Sequence, residues 1–140
     1  MFNFILLAVD GSEHAQRAAQ VAADLARLAK AREIRIVVAF DPVPGFLGEP
    51  NLGQAIASRT KEAEEILEAT KAEMGETGSE LQAEVLEGPV AEAILNVAAA
   101  RKIDLIVMGS RGRGRLQGAL LGSNSQKVVS LAPCPVLIVR

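Results

Sequence analysis

The chain has no tryptophan, no tyrosine and only four phenylalanines among its 140 residues. An aromatic platform on which single-stranded nucleic acid stacks is therefore excluded. A single cysteine, Cys134, forbids an internal disulfide and fits a reducing compartment. With only one histidine beside it, His14, no His/Cys metal cluster can form. Charge of neither sign dominates: 15 Lys and Arg stand against 17 Asp and Glu, a net of −2. That balance argues against a general binder of nucleic acid or of acidic membranes. No apolar run approaches the ~20 residues of a membrane span. Met1-Phe2-Asn3 lacks the basic stretch that opens a secretory leader. The expectation is a cytoplasmic protein with neither nucleic acid nor membrane among its partners. Hydrophobic residues reach 49%, too many for a disordered chain. The length suits one domain spanning residues 1–140.

Apolar runs and helical periods alternate along that length. Residues 4–9 form a short apolar run closed by Asp10-Gly11-Ser12, a strand followed by a turn. Ser12 is a capping residue for a helix to about Lys30, with Ala15, Ala18, Ala22, Leu25 and Ala29 on one face. A second strand spans 33–40. Residues 41–52 hold Pro42, Pro44, Gly45, Gly48 and Pro50 and are expected to be irregular. Helical period returns over 53–74. Residues 80–87 partly alternate, as a half-exposed edge strand does. Pro89 opens a helix to about Arg101. Residues 103–108 are a fourth, buried strand, 123–131 a last helix, and Val136–Val139 a fifth strand. Strands separated by helices need crossovers, which make the sheet parallel. The predicted fold is α/β, one domain, with a five-stranded parallel sheet in order 3-2-1-4-5 and helices on both faces. That order puts a topological switch between the first and fourth strands, where such sheets bind ligands.

The stretch after the fourth strand, GSRGRGRLQGALLGSNSQK, carries Gly109, Gly112, Gly114, Gly118 and Gly122. Glycines between a strand and a helix let backbone N–H groups approach an anion, and the helix start adds unpaired donors and partial positive charge. Arg111, Arg113 and Arg115 lie between the glycines. Single-residue spacing lets all three face one side of an extended loop and contact a phosphate chain. Residues 109–116 lack the Lys and Ser/Thr of a Walker loop. Gly112-x-Gly114-x-x-x-Gly118 is spaced one residue too far for a dinucleotide fingerprint. No G-x-S-x-G elbow is present.

What the residues do spell is G-x-x-G, nine residues, then G-S: Gly109, Gly112, Gly122 and Ser123. With Val9-Asp10-Gly11-Ser12 and the closing Pro133-Cys134-Pro135-Val136-Leu137-Ile138-Val139, the whole chain resembles the universal stress protein family. The complete loop resembles that of the family's ATP-binding branch. The resemblance implies a five-stranded α/β domain, usually dimeric, that binds ATP with a divalent cation, Mg or Mn. It places Asp10 at the adenosine end and Ala39 where a valine usually touches adenine through its backbone. Gly109 falls on the ribose side, and Gly112, Gly122 and Ser123 on the phosphates, with Asn124 donating a backbone N–H. A homodimer through Val136–Val139 follows from an apolar strand left at a sheet edge.

Simpler roles stand beside these. Asp10 also suits a turn, the arginines a solvated loop, and His14 an ordinary surface position on a helix. Cys134, between two prolines, reads as inert packing. The expected function is a nucleotide-responsive regulator of the stress response, not an enzyme. A slow ATPase or phosphotransferase, and an interaction module with a vestigial pocket, are the alternatives.

Overall fold

The structure is a computed structural model, and it describes residues 1–111 and 121–140. Among these, the strands are β1 (Phe4–Ala8), β2 (Glu33–Phe40), β3 (Glu80–Glu87), β4 (Leu105–Gly109) and β5 (Val136–Val139). The helices are α1 (Glu13–Ala29), α2 (Asn51–Met74), α3 (Val90–Ala100) and α4 (Ser123–Leu131). All strand pairs are parallel, and the order is β3-β2-β1-β4-β5. The single α/β domain and its predicted strand order are what the structure contains.

Side chains alternate across a strand, so each central strand feeds two cores. Ile5, Leu7, Ile34, Ile36, Val38, Leu105 and Val107 face α1 and α2. Leu6, Ala8, Val37, Ile106 and Met108 face α3 and α4, against Ile94, Ala98 and Val128. Helix α1 presents six alanines to the first core: Ala15, Ala18, Ala19, Ala22, Ala23 and Ala26. Alanine has the highest helix propensity, and its small side chain lets the helix lie close to the sheet. The predicted stripe is therefore rotated, and Leu25 and Ala29 lie at its half-buried margin. Ser12 caps α1 as expected, its Oγ accepting the Ala15 N–H at 3.2 Å.

Two predicted boundaries are corrected. Strand β4 starts at Leu105, not at residue 103, because the Ile103 N–H is tied back to the Ala98 carbonyl at 3.0 Å, closing α3. Residues 41–52 are not wholly irregular: a 3-10 turn occupies Gly45–Leu47, and α2 begins at Asn51 behind Pro50. A proline there costs nothing, since the missing N–H is one of the helix's unpaired donors anyway. The last helix stands where it was expected, over Ser123–Leu131, with Gly122 as its N-cap and no side-chain cap bond among the described residues.

The edges differ in character. On β3, Glu84 pairs with the buried Arg35 of β2 at 3.3 Å, and Glu33 holds the same guanidinium at 3.1 Å. Charge of this kind guards an edge against further pairing. On β5, all four residues are half-buried and apolar.

Candidate functional site: a crevice at the sheet's switch point

Beyond the carboxyl ends of β1 and β4 lies a crevice of about 230 Å³. Asp10, Ala39, Gly109, Arg111, Gly122, Ser123 and Asn124 all line it. Residues up to 114 positions apart in sequence meet there because β1 and β4 are neighbours while β2 and β5 lie to opposite sides. Gly112, Arg113 and Arg115 lie outside the described residues. The crevice wall that sequence reasoning missed is apolar: Val37, Val90, Ile94 and Met108. Strand alternation was the available signal for Val37, two positions before Ala39 on the same face of β2.

The turn after β1 is built by Asp10, whose Oδ1 accepts the Ser12 N–H at 2.9 Å. Gly11 supplies the positive φ, 83°, that the turn needs. Asp10 thus fills its local turn role, and its Oδ2 has no partner among the described residues.

Ala39 offers backbone rather than side chain. The Val9 N–H bonds to the Val37 carbonyl at 3.0 Å, and the Gly88 N–H to the Phe40 carbonyl at 3.0 Å. In a parallel ladder, successive residues direct their N–H and C=O alternately to the two neighbouring strands. Val37 and Ala39 therefore face β1, while Phe40 faces β3. Since β1 stops at Ala8, the Ala39 N–H and C=O meet no backbone partner among the described residues and open on the crevice.

At the other end stands the start of α4. Its ladder begins with the Gln126 N–H bonding to the Gly122 carbonyl at 2.9 Å. The N–H groups of Ser123, Asn124 and Ser125 precede that bond and are not used by the helix. Two ties fix this end: the Gly122 N–H donates to the Ser110 carbonyl at 2.8 Å, and the Ser125 hydroxyl to the Gly109 carbonyl at 2.9 Å. The helix dipole adds partial positive charge there, and Arg111 adds a full one.

Gly109 has a structural reason of its own. A Cβ on it would come within 2.8 Å of His14 Cβ, 3.0 Å of the His14 carbonyl carbon and 3.1 Å of the Ala15 nitrogen. Helix α1 runs directly against this glycine. His14 itself corrects the expectation of an ordinary surface position: it is half-buried, and its Nδ1 lies 3.0 Å from Ser110 Oγ. Among the described residues, no group of three or more His, Cys, Asp or Glu is placed to hold a metal ion. Cys134 packs among the apolar residues beneath α3 and α4. Burial pushes its thiol pKa up, and the negative charge of Asp104 raises it further.

The model of the universal stress protein family matches residues 1–140. The chain belongs to the universal stress protein family. A universal stress protein of Thermus aquaticus, encoded in a QAH/OAS sulfhydrylase 3′ region, is 49% identical over all of both chains. The solved structure of MJ0577, a universal stress protein of Methanocaldococcus jannaschii, matches at a TM-score of 0.89 and 29% identity, covering 99% of this chain and 96% of that one. Two further universal stress proteins are complexes with nucleotides, one with cAMP and one, from Archaeoglobus fulgidus, with dAMP. They match 99% and 100% of this chain and 97% and 98% of their own, at TM-scores of 0.70 and 0.73. At 23% and 22% identity, they share its fold. In this universal stress protein the fold leaves the crevice open between two unpaired backbone surfaces, the edge of β2 and the start of α4.

Proposed function

We propose that this universal stress protein binds ATP in the switch-point crevice and acts as a nucleotide-responsive regulator rather than as a fast enzyme. The observation that carries the proposal is the meeting of two unpaired backbone surfaces across one apolar-walled crevice. The free N–H and C=O of Ala39 match the hydrogen-bonding edge of a base lying against Val37 and Met108. The three unused N–H groups of α4 match phosphate oxygens. Asp10 Oδ2 is an acceptor for a sugar hydroxyl. Alanine at position 39 leaves the base contact intact, because that contact is made by backbone.

A divalent cation, Mg or Mn, belongs to the same proposal. Among the described residues, Asp10 is the one carboxylate lining the crevice, so most ligands to the ion would be phosphate oxygens and water, the usual arrangement for Mg. Fast phosphoryl transfer needs a positioned base or water-orienting residue besides a held metal. The described lining supplies no such set beyond Asp10. Turnover below about one per minute is expected, against a median enzyme's ~10 per second.

Two further elements complete the proposal: a cytoplasmic setting and a homodimer through β5. The single, unbridged Cys134 supports the first. No helix among the described residues is long and apolar enough to cross a membrane. The second rests on β5, four half-buried apolar residues at the end of the sheet order.

Titration calorimetry with ATP, ADP and AMP tests the binding. Arg111→Ala should weaken ATP by about tenfold, one charge-assisted contact reduced by solvent screening, and AMP by much less. A folded wild-type protein with no affinity for any of the three would refute the proposal. Phosphate release near one per second would favour the slow-enzyme alternative.

A further inference from the structure

Ser110 follows the last residue of β4 and is only 3% exposed. All three of its hydrogen-bonding groups are engaged, each to a different element. Its N–H donates to the Val139 carbonyl of β5 at 2.8 Å, and its carbonyl accepts the Gly122 N–H at the start of α4 at 2.8 Å. Its hydroxyl meets His14 Nδ1 of α1 at 3.0 Å. One residue further back, the Gly109 carbonyl accepts the Ser125 hydroxyl. The start of α4 therefore hangs on the Gly109–Ser110 backbone, and among the described residues the side-chain tie holding that backbone to α1 is the His14–Ser110 bond. His14 is the chain's only histidine, and it is not part of the crevice lining.

We propose that His14 is a positioning residue for the phosphate end of the crevice, acting through Ser110 on the N-terminus of α4. This rests on the nucleotide proposal above. The imidazole does not contact the ligand. It fixes Ser110, and Ser110 fixes the height and tilt at which the Ser123, Asn124 and Ser125 N–H groups stand in the crevice. A serine hydroxyl can donate to a neutral Nδ1 or accept from a protonated one. The tie is therefore a positional one, open to either direction of donation. The base end depends on Ala39 of β2, which has no bond to this node, so the two ends of the site should separate experimentally.

The experiment is calorimetric titration of the full chain with ATP and, separately, with adenosine. His14→Ala should weaken ATP about five- to tenfold, the effect of one lost hydrogen bond. Adenosine, with no phosphate to meet α4, should stay within about twofold. In His14→Asn the amide oxygen lies near the place of Nδ1 and can accept the Ser110 hydroxyl, so ATP affinity should return to within about twofold of wild type. Ser110→Ala deletes the same bond from the other side and should reproduce the loss, with the double variant no worse than either single one. Should His14→Ala fail to fold, His14→Asn and Ser110→Ala carry the comparison. Equal weakening of both ligands, unchanged ATP affinity in folded His14→Ala or Ser110→Ala, or no recovery with asparagine would overturn the positioning role. A wild-type protein that binds neither ligand would instead sink the nucleotide proposal, and the positioning role with it.

Discussion

Gly109→Ala separates two reasons for a glycine at the head of the loop. If the residue serves only a ligand, the free protein should tolerate a methyl group. The structure says otherwise. The added Cβ would lie 2.8 Å from His14 Cβ, 3.0 Å from the His14 carbonyl carbon and 3.1 Å from the Ala15 nitrogen. Two of these three atoms are backbone, and the neighbouring Ala15 is buried, so no rotamer change relieves the contact. Helix α1 must shift or β4 must bend. Overpacking of this kind costs about 1–3 kcal/mol. For a chain of 140 residues, unfolding entropy is about 0.3 kcal/mol per degree, so the melting temperature should fall by ~3–10 °C. The assay is thermal unfolding of nucleotide-free protein followed by circular dichroism. His14→Ala in the same chain should give no rescue, because the Cβ it keeps is the atom that collides. An apo Gly109→Ala protein that melts with the wild type would refute the packing argument and leave the glycine to the ligand alone.

Two further outcomes are expected. Ile138→Pro should weaken the proposed dimer without detaching β5. The bonds from the Ile106 N–H to the Pro135 carbonyl and from the Ser110 N–H to the Val139 carbonyl set the ladder phase. In that phase Leu137 and Val139 face β4, and Val136 and Ile138 face outward. Light scattering after gel filtration decides this, and a wild-type monomer at micromolar concentration would contradict it. Cys134 should alkylate more slowly in the folded chain than in the unfolded one at pH 8, since burial, then Asp104, holds its thiol protonated. A folded pKa above the unfolded one means that this group's contribution to stability is complete below about pH 8.5 and is lost as pH rises through the raised value. Equal alkylation rates in folded and urea-unfolded protein would remove the basis for that expectation.

Much of the architecture was legible in the chain because local signals agreed with one another. The Ser12 cap, the alternation in Glu80–Glu87 and the uninterrupted apolar runs of the central strands each have a local physical cause. The errors fell where tertiary contacts override local pattern. Ile103 is as apolar as its neighbours, yet its N–H closes α3 instead of pairing in the sheet. Of the residues that line the crevice, Gly109, Gly122 and Ser123 were singled out by motif spacing, and Asp10 and Asn124 by the family resemblance. The apolar wall of Val90, Ile94 and Met108 was not, because it is assembled from α3 and β4, whose facing is set only by packing.

The sequence by itself determined the α/β alternation, the strand order and the glycine loop that follows β4, since periodicity, turn chemistry and the rules of parallel crossovers are local or nearly so. Only the tertiary structure decided what the loop's neighbours do. It showed that Ala39 turns its backbone into the crevice, because ladder phase depends on where β1 stops. It showed that Gly109 is pressed by α1, because helix-on-sheet distance depends on the small alanines between them. It also gave His14 a buried partner, because residues 96 positions apart meet only when α1 is laid across the end of β4.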